Sequence, residues 1–239
     1  MRRRVKRAVR RLVLLGLLTA LAGCASTGEE RDPRDPFEPF NRGVYRFNDK
    51  FDEYLAQPVA RTYRKAVHQE IRSRLGNFFA NIQDLFIGVN NFLQGKVQDG
   101  VNDWARFAFN TSFGLLGIHD VASEWGLEKH NEDFGQTFGR WGVPPGPYLV
   151  LPFLSSSTVR DGVGTAIDYT ASPASEIRPI NLRNTLYGLY LVNTRAELLD
   201  ASKLLEEAAL DRYVFQRDAY LQRRRSLIYD GSPPREKLE

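Results

Sequence analysis

Apolar residues recur in steps of 4, 3, 4, 3, 4 and 3 along Ile71, Leu75, Phe78, Ile82, Leu85, Val89 and Phe92. Steps of three and four keep side chains on one face, so the spacing predicts a helix over 71–94. A second row, Phe79, Phe86 and Leu93, widens the stripe. The opposite side carries Asn77, Asn81, Asp84, Asn91 and Gln94, amides rather than a dense run of charges. Unbroken, such a helix extends about 36 Å; Gly76 and Gly88 are the places where it would bend.

The same rhythm runs earlier, through Phe37, Phe40, Val44, Phe47, Phe51 and Tyr54. Asp35, Pro36 and Glu38 stand where a helix N-cap, N1 and N3 are expected. Pro39 lacks an amide hydrogen, which moves the start about a turn later. Pro58 opens a short helix over 59–68. After Gly95, residues 96–113 predict another helix with Val97, Val101, Trp104 and Ala108 on one side, closed by Gly114 and Gly117.

Residues 135–152 hold four Gly and four Pro. They predict a long turn-rich loop or two short extended segments, since Pro144-Pro145-Gly146-Pro147 cannot be helix interior. Thr158 starts a short helix, 170–182 reads as loop, and Thr194-Arg195-Ala196-Glu197 has the form of a capping box. That box would open an amphipathic C-terminal region through Tyr229, interrupted near Asp211 and ending on Arg223-Arg224-Arg225. Strand signal is weak and no repeat is visible. The fold class is mainly α: a single domain of amphipathic helices with one Gly/Pro-rich loop and a C-terminal helix.

The N-terminus changes how the rest is read. Seven Lys and Arg lie within the first 11 residues, followed by an apolar run at 12–21 and then Leu21-Ala22-Gly23-Cys24. A bilayer-spanning helix needs about 20 residues; a basic region, a short apolar run and small residues make a cleaved secretory signal. Leu-Ala-Gly-Cys is similar to the lipobox of bacterial lipoproteins, which implies cleavage before Cys24 and N-acyl and S-diacylglycerol lipid on it. More than one chain makes anchoring stable. Ala25, rather than Asp, points to the outer membrane by the same analogy. The expected layout is signal peptide 1–23, tether 24–34, folded domain 35–230 and tail 231–239.

The full chain is basic, with net charge +4. Cleavage removes seven of the 33 Lys and Arg and none of the 29 Asp and Glu, leaving a mature chain near −3. A nucleic-acid partner needs a basic mature surface, so that reading loses its support.

Catalytic patterns are missing. There is no nucleophile elbow, P-loop or dinucleotide fingerprint. Cys24, the only Cys, would be lipidated. His68, His119 and His130 have no helical i+3 or i+4 ligand partner. His130, Glu132 and Asp133 read as a solvated loop, and Ser155-Ser156-Ser157 beside Asp161 as turn and capping chemistry rather than a hydrolase. No metal or other cofactor is expected, and the chain is read as no enzyme. The apolar stripes read as helical core or as surface that meets lipid.

Several stretches together resemble the MlaA (VacJ) lipoprotein family: Asp35-Pro36-Phe37-Glu38-Pro39-Phe40-Asn41-Arg42 with Tyr45-Arg46-Phe47-Asn48; Asn91-Phe92-Leu93-Gln94-Gly95; Arg106-Phe107 with Asn110-Thr111, Gly114, Gly117 and Asp120; Asp133 to Phe138 through Trp141-Gly142-Val143, Gly146-Pro147-Tyr148 and Leu151-Pro152; and Thr194-Arg195-Ala196. They span about 33–229. After Leu151-Pro152-Phe153 the family usually has a Gly, where this chain has Ser155-Ser156-Ser157.

The resemblance implies an outer-membrane lipoprotein of retrograde phospholipid transport: a helical ring in the inner leaflet, facing the periplasm of a Gram-negative cell. Mislocalised phospholipid would leave the outer leaflet through an amphipathic channel and pass to a soluble periplasmic carrier. Trimeric porins are the implied neighbours. Phe37, Phe40, Asn41, Phe47 and Asn48 would form the first functional element. Gly142, Pro145, Gly146, Pro147 and Tyr148 would shape the loop beside the channel. On our reading of the faces, Asn77, Asn81 and Asn91 would line the passage, so that replacing them with Leu blocks transport but spares folding. Arg217, Arg223, Arg224 and Arg225 would meet the carrier or lipid phosphates. A hydrolase acting on lipid, or a structural envelope lipoprotein, are the rival readings.

Overall fold

The computed structural model describes residues 32–208 and 210–235. The expected signal peptide, Cys24 and most of the expected tether lie outside the described residues. The first helix, α1, spans Glu38–Phe51, with Phe37 rather than Asp35 at its cap position. It passes through a π-helical stretch, Asp52–Ala56, into α2, Gln57–Ala66, so the break expected at Pro58 is absent. Pro58 sits in the first turn of α2, where its missing N–H is tolerated.

Helix α3, Gln69–Leu93, runs unbroken, and α4, Val97–Ser112, folds back along it. Gly95, at φ +81°, makes the reversal. Two glycines set how closely these helices meet. A Cβ on Gly88 would lie 2.4 Å from the Trp104 ring, and one on Gly100 would lie 2.8 Å from the Phe92 ring. The two rings then stack edge to face, centroids 4.9 Å apart. Gly88 therefore does not bend α3; it admits Trp104.

Three expectations change in the second half. Residues 135–152 contain a helix, α6, Phe134–Arg140, following the one-turn α5, Val121–Glu124. The Asp133 side chain caps α6 by accepting from Gln136 N. Residues 148–158 form an antiparallel hairpin, β1 Tyr148–Leu151 with β2 Ser155–Thr158, pairing Tyr148 with Thr158 and Leu151 with Ser155. Helix α7, Val159–Ala171, starts where expected on the Thr158 cap. Finally, α8 already covers Ile180–Glu197, so Thr194 lies inside a helix and caps nothing. Helices α9, Leu199–Ala208, and α10, Arg212–Ile228, complete the chain, with Asp211 capping α10 as the interruption there suggested.

Small apolar clusters around Ala60, Ala196 and Leu199 and around Tyr148, Val150 and Tyr213 are buried in the ordinary way, but elsewhere burial is inverted relative to a protein surrounded by water. Charged and amide side chains are almost never fully buried in ordinary globular proteins. Here Asp35, Asn41, Asp84, Asn90, Asn91, Asp103 and Arg106 are at most 1% exposed, while Phe47, Val97, Val101, Trp104 and Phe113 are 47–64% exposed. The α1 and α4 stripes are therefore outward faces over much of their length, the α3 stripe is mostly half-buried with Ile71 and Leu93 exposed, and Asn81, Asp84 and Asn91 of the amide row are packed inside. The fold class expected from the sequence, mainly α, is the one observed.

Candidate functional site

The outward apolar face begins on α1 and α2 with Phe40, Phe47, Phe51, Tyr54, Leu55 and Val59, all exposed. The hairpin tip joins it: Phe153 meets Phe47 and Phe51 edge to face, at 5.2 and 5.0 Å between centroids. Phe153 and Ser155 take positive φ, 64° and 70°, at the turn where a glycine was expected from the resemblance. The strain of a left-handed non-glycine residue, on the order of 1 kcal/mol, is accepted here and puts Phe153 and Leu154 outside. A second aromatic group, Phe109, Phe113 and Trp125, stands where α4 meets α5. Apolar surface this extensive marks contact with lipid or protein. No helix among the described residues is long and apolar enough to cross a membrane.

The opening motif explains how this face is held. Asn41 and Asn48 lie two turns apart on the side of α1 that faces β1 (Phe40 and Phe47 point out). Asn41 Nδ2 donates to Tyr148 O at 3.0 Å and to Asp35 Oδ1 at 2.8 Å, and its Oδ1 accepts from Val150 N at 2.9 Å. Asn48 Nδ2 donates to Leu151 O and its Oδ1 accepts from Phe153 N, both at 2.9 Å. An amide offers one donor end and one acceptor end, as a peptide group does. The two asparagines thus pair with an edge of β1 that would otherwise be open. Phe37 is half-buried at the entry to α1.

Helix α10 locks the same region from the other side. Tyr213 OH donates to buried Asp35, and Arg217 reaches Asp32 at 3.0 Å and Asp35 at 3.5 Å. Burial first, then the Asp35 carboxylate, pushes the Tyr213 hydroxyl far above its usual range. Arg217 is 6% exposed. Arg224 forms a two-bond clamp on Asp133 and lies 3.2 Å from Asp161. Both arginines are internal struts, which corrects the expectation that they face a carrier or lipid phosphates. Arg223 is exposed, and Arg225 donates to Pro234 O. Sequence periodicity could not separate Arg217 and Arg224 from the other two, because the carboxylates that hold them lie far away along the chain.

Asp168 joins this junction without a cation of its own. Its carboxylate accepts the Phe134 amide at 3.3 and 3.4 Å, across the α6–α7 contact. Burial, then the neighbouring Asp133 charge, raises its pKa from 3.8 to about 6. A folded-state value above the unfolded one means that the folded protein holds a proton the unfolded chain releases, so stability falls as pH rises between those limits. Asp168→Asn removes that fall. The variant is expected to be more stable than wild type at pH 7.5 by about 1–2 kcal/mol, discounted for partial solvent screening, and no more stable at pH 3.5. Urea midpoints at the two pH values check it. An equal gain at both would mean that the charge is not the cause.

The amide row of α3 is structural. Asn81 donates to Thr111 Oγ1 at 3.0 Å and Asn91 to Asp103 Oδ2 at 2.7 Å; Asn77 reaches Ile118 O at 3.4 Å. Asn90 Oδ1 accepts from Thr137 of α6. Asn81 and Asn91 are 3% and 0% exposed, so they do not line an open passage. Leu in their place would strand Thr111 and Asp103, and folding would not be spared. The His130 cluster is also no solvated loop: His130 bonds Asp103, while Glu132 accepts from Gln94 and Lys96. No metal-holding group of His, Cys, Asp and Glu occurs among the described residues.

The Gly/Pro loop is exposed at Gly142, Pro145 and Gly146, with positive φ at both glycines. It is fastened to α7 through Pro145 O and Pro147 O, which accept from Arg160 N and Val159 N. Tyr148 is not a loop residue; it is 1% exposed and its hydroxyl pairs with Ser156. The sequence reading named Arg106 only within the resemblance, with no role, and passed over Asp168. Only Asp133–Gln136 carried a visible signal for its element, a cap residue with an amide three places on.

Residues 33–227 match the family model described as MlaA lipoprotein. Relatives described as intermembrane phospholipid transport system lipoprotein MlaA, from Shigella flexneri and Escherichia coli (strain K12), are each 40% identical over 189 residues, covering 77% of this chain and 74% of theirs. A relative of the same description from Haemophilus influenzae is 30% identical over 204 residues, 80% of this chain and 78% of its own. A solved structure from work described as "Structural basis for maintenance of bacterial outer membrane lipid asymmetry" superposes with a TM-score of 0.72 and 34% identity, covering 83% of this chain and all of that one.

Proposed function

The chain belongs to the MlaA lipoprotein family, and from that premise we propose that it is an outer-membrane lipoprotein of phospholipid transport that maintains lipid asymmetry. The observation that carries the reading is the inverted burial: charged and amide side chains inside, aromatic and aliphatic ones outside. Amphipathic helices with such faces lie in the plane of a membrane with their apolar sides among acyl chains. Anchoring through lipid on Cys24 would hold the protein in the periplasm-facing leaflet. Phospholipid leaving the outer leaflet would cross an amphipathic path through the protein and pass to a soluble periplasmic carrier, beside a trimeric porin. The work is conveyance of an intact lipid, with no bond made or broken. The serines weighed for hydrolysis support this division: Ser155 and Ser156 accept from Gln216, and Ser156 also pairs with Tyr148.

The test is outer-leaflet phospholipid in a deletion strain, complemented with wild type or with Cys24→Ala. Accumulation that wild type clears and Cys24→Ala does not is the expected result. No accumulation on deletion would reject the transport reading and leave a structural envelope role.

A further inference from the structure

An open cleft lies between α3 and α8 and is also lined by Ser172 and Ile177. The two helices meet at Gly76 and Asn193, where a glycine Cβ would have room 3.7 Å from the Asn193 amide. The cleft begins about a turn further along each helix. Its walls are Phe78, Phe79 and Ile82 on one side and Leu186, Tyr187 and Tyr190 on the other. Phe79 stacks edge to face on Tyr190 at 5.1 Å, and Gln83 Nε2 donates to the Tyr190 hydroxyl at 3.1 Å, which fixes the walls relative to each other. A mostly apolar concavity with a few placed polar groups is the usual form of a small-ligand site.

The polar groups are unevenly signed. Among the described lining residues Arg183 is the one cation and there is no carboxylate. Arg183 Nη1 donates to Ser175 O at 3.2 Å, which orients the guanidinium at the turn. A guanidinium held in place is matched to phosphate, which it can bind through two parallel hydrogen bonds. Tyr187 stands beside it with its hydroxyl pushed up by burial and by Tyr169, so it stays a neutral donor.

We propose that this cleft holds one phospholipid in transit, an acyl chain between the aromatic walls and the phosphate on Arg183. This rests on the phospholipid-transport reading and adds to it a place and a rule of selection. The phosphodiester is recognised, but the group beyond it is not: with no carboxylate among the described lining residues to pair with an ammonium, ethanolamine and glycerol headgroups are equivalent. Removing the phosphate removes the contribution of Arg183. Inorganic phosphate, which cannot use the apolar walls, is a poor competitor.

The experiment uses the full mature lipoprotein in detergent, stripped of bound lipid, with pyrene-labelled phosphatidylglycerol, phosphatidylethanolamine and diacylglycerol of the same chains. Arg183→Gln is expected to weaken both phospholipids about tenfold, as for loss of one charged hydrogen-bonding partner, and to leave diacylglycerol unchanged. Arg183→Lys keeps most of the affinity. Leu186→Trp, which fills the cleft, weakens all three lipids, with circular dichroism confirming that the variant is folded. Full competition by inorganic phosphate together with unchanged lipid binding in Leu186→Trp would identify a mere anion site and overturn the proposal. So would an Arg183→Gln effect confined to one headgroup, or none. The same variants in the deletion strain separate the two levels. If deletion itself causes no phospholipid accumulation, the transport reading fails whatever the cleft binds. If deletion causes accumulation that all three variants clear like wild type, only the cleft fails.

Discussion

Arg106→Met is expected to lower the unfolding free energy by about 3–5 kcal/mol, the cost of breaking a buried charge cluster by removing one member. Arg106 is 1% exposed. Its Nη2 donates to both Asp120 oxygens at 2.9 Å, and its Nη1 to Ser123 Oγ at 3.0 Å and Leu127 O at 2.6 Å. Its Nε lies 3.6 Å from Asp84 Oδ2. One guanidinium therefore ties α4 to α3, to the cap of α5 and to the chain after α5. Burial raises the Asp120 carboxyl, but the Ser123 hydroxyl, the Asn110 amide and Arg106 outweigh it and bring its pKa to about 2. For Asp84 burial wins and its pKa is raised, even with Lys129 and Arg106 beside it.

Methionine replaces the stem of the side chain but no donor. It leaves the Leu127 carbonyl without its Arg106 bond and Asp84 with Lys129 alone. Arg106→Lys keeps a charge yet cannot reproduce the fork, so it is expected to fall between wild type and Arg106→Met. Adding Asp84→Leu to Arg106→Met should cost less than the sum of the single changes, since the stranded carboxylate goes too. Urea unfolding followed by tryptophan fluorescence measures all four. A loss below about 1 kcal/mol for Arg106→Met would mean that the cluster behaves like a surface pair.

How much of this was legible beforehand depends on what each element answers to. Helices α3 and α4 follow their three- and four-residue spacing, because a stripe of apolar side chains demands one common face whatever that face meets. Which medium it meets is not in the periodicity. Asn81 and Asn91 read as the lining of a passage, because spacing shows a polar face but not that Thr111 and Asp103 close over it, nor that Phe47, Trp104 and Phe113 are the outer residues. The helix α6 was hidden because Gly135 and Gly139 resemble loop composition. Both are small because neighbours approach: a Cβ on Gly135 would meet Arg224 and Asp161, and one on Gly139 would meet Ile228. The Thr194 box failed since a local cap signal is overridden when the helix before it continues. The ion pairs of Arg106, Arg217 and Arg224 join residues remote in sequence, and no spacing rule reaches them. The opening motif was found by resemblance, and only its geometry reveals what Asn41 and Asn48 do.

Asn41→Ala is expected to destabilise the protein by about 3–4 kcal/mol, from three lost hydrogen bonds at a fully buried position and the groups that they leave unpaired. Val150 N–H loses its acceptor, Tyr148 O its side-chain donor, and Asp35 one of the partners that hold its carboxylate inside. Asp35 keeps Tyr213 and Arg217, so α10 is expected to stay attached while the hairpin loosens from α1. The matching change one repeat later, Asn48→Ala, removes two bonds at a part-buried site and should cost about 1–2 kcal/mol. Amide exchange distinguishes a local from a global effect. Asn41→Ala is expected to speed exchange at Val150, with Asn48→Ala acting at Phe153 instead. If either variant accelerated all amides equally, the asparagines would be global core residues rather than partners of one strand edge. Functionally, the tip bearing Phe153 and Leu154 would no longer be held against Phe47 and Phe51. Asn41→Ala should therefore clear outer-leaflet phospholipid less well than wild type even at a temperature where it remains folded. Full clearance by a folded Asn41→Ala protein would show that this hairpin tip plays no part in the lipid-facing surface.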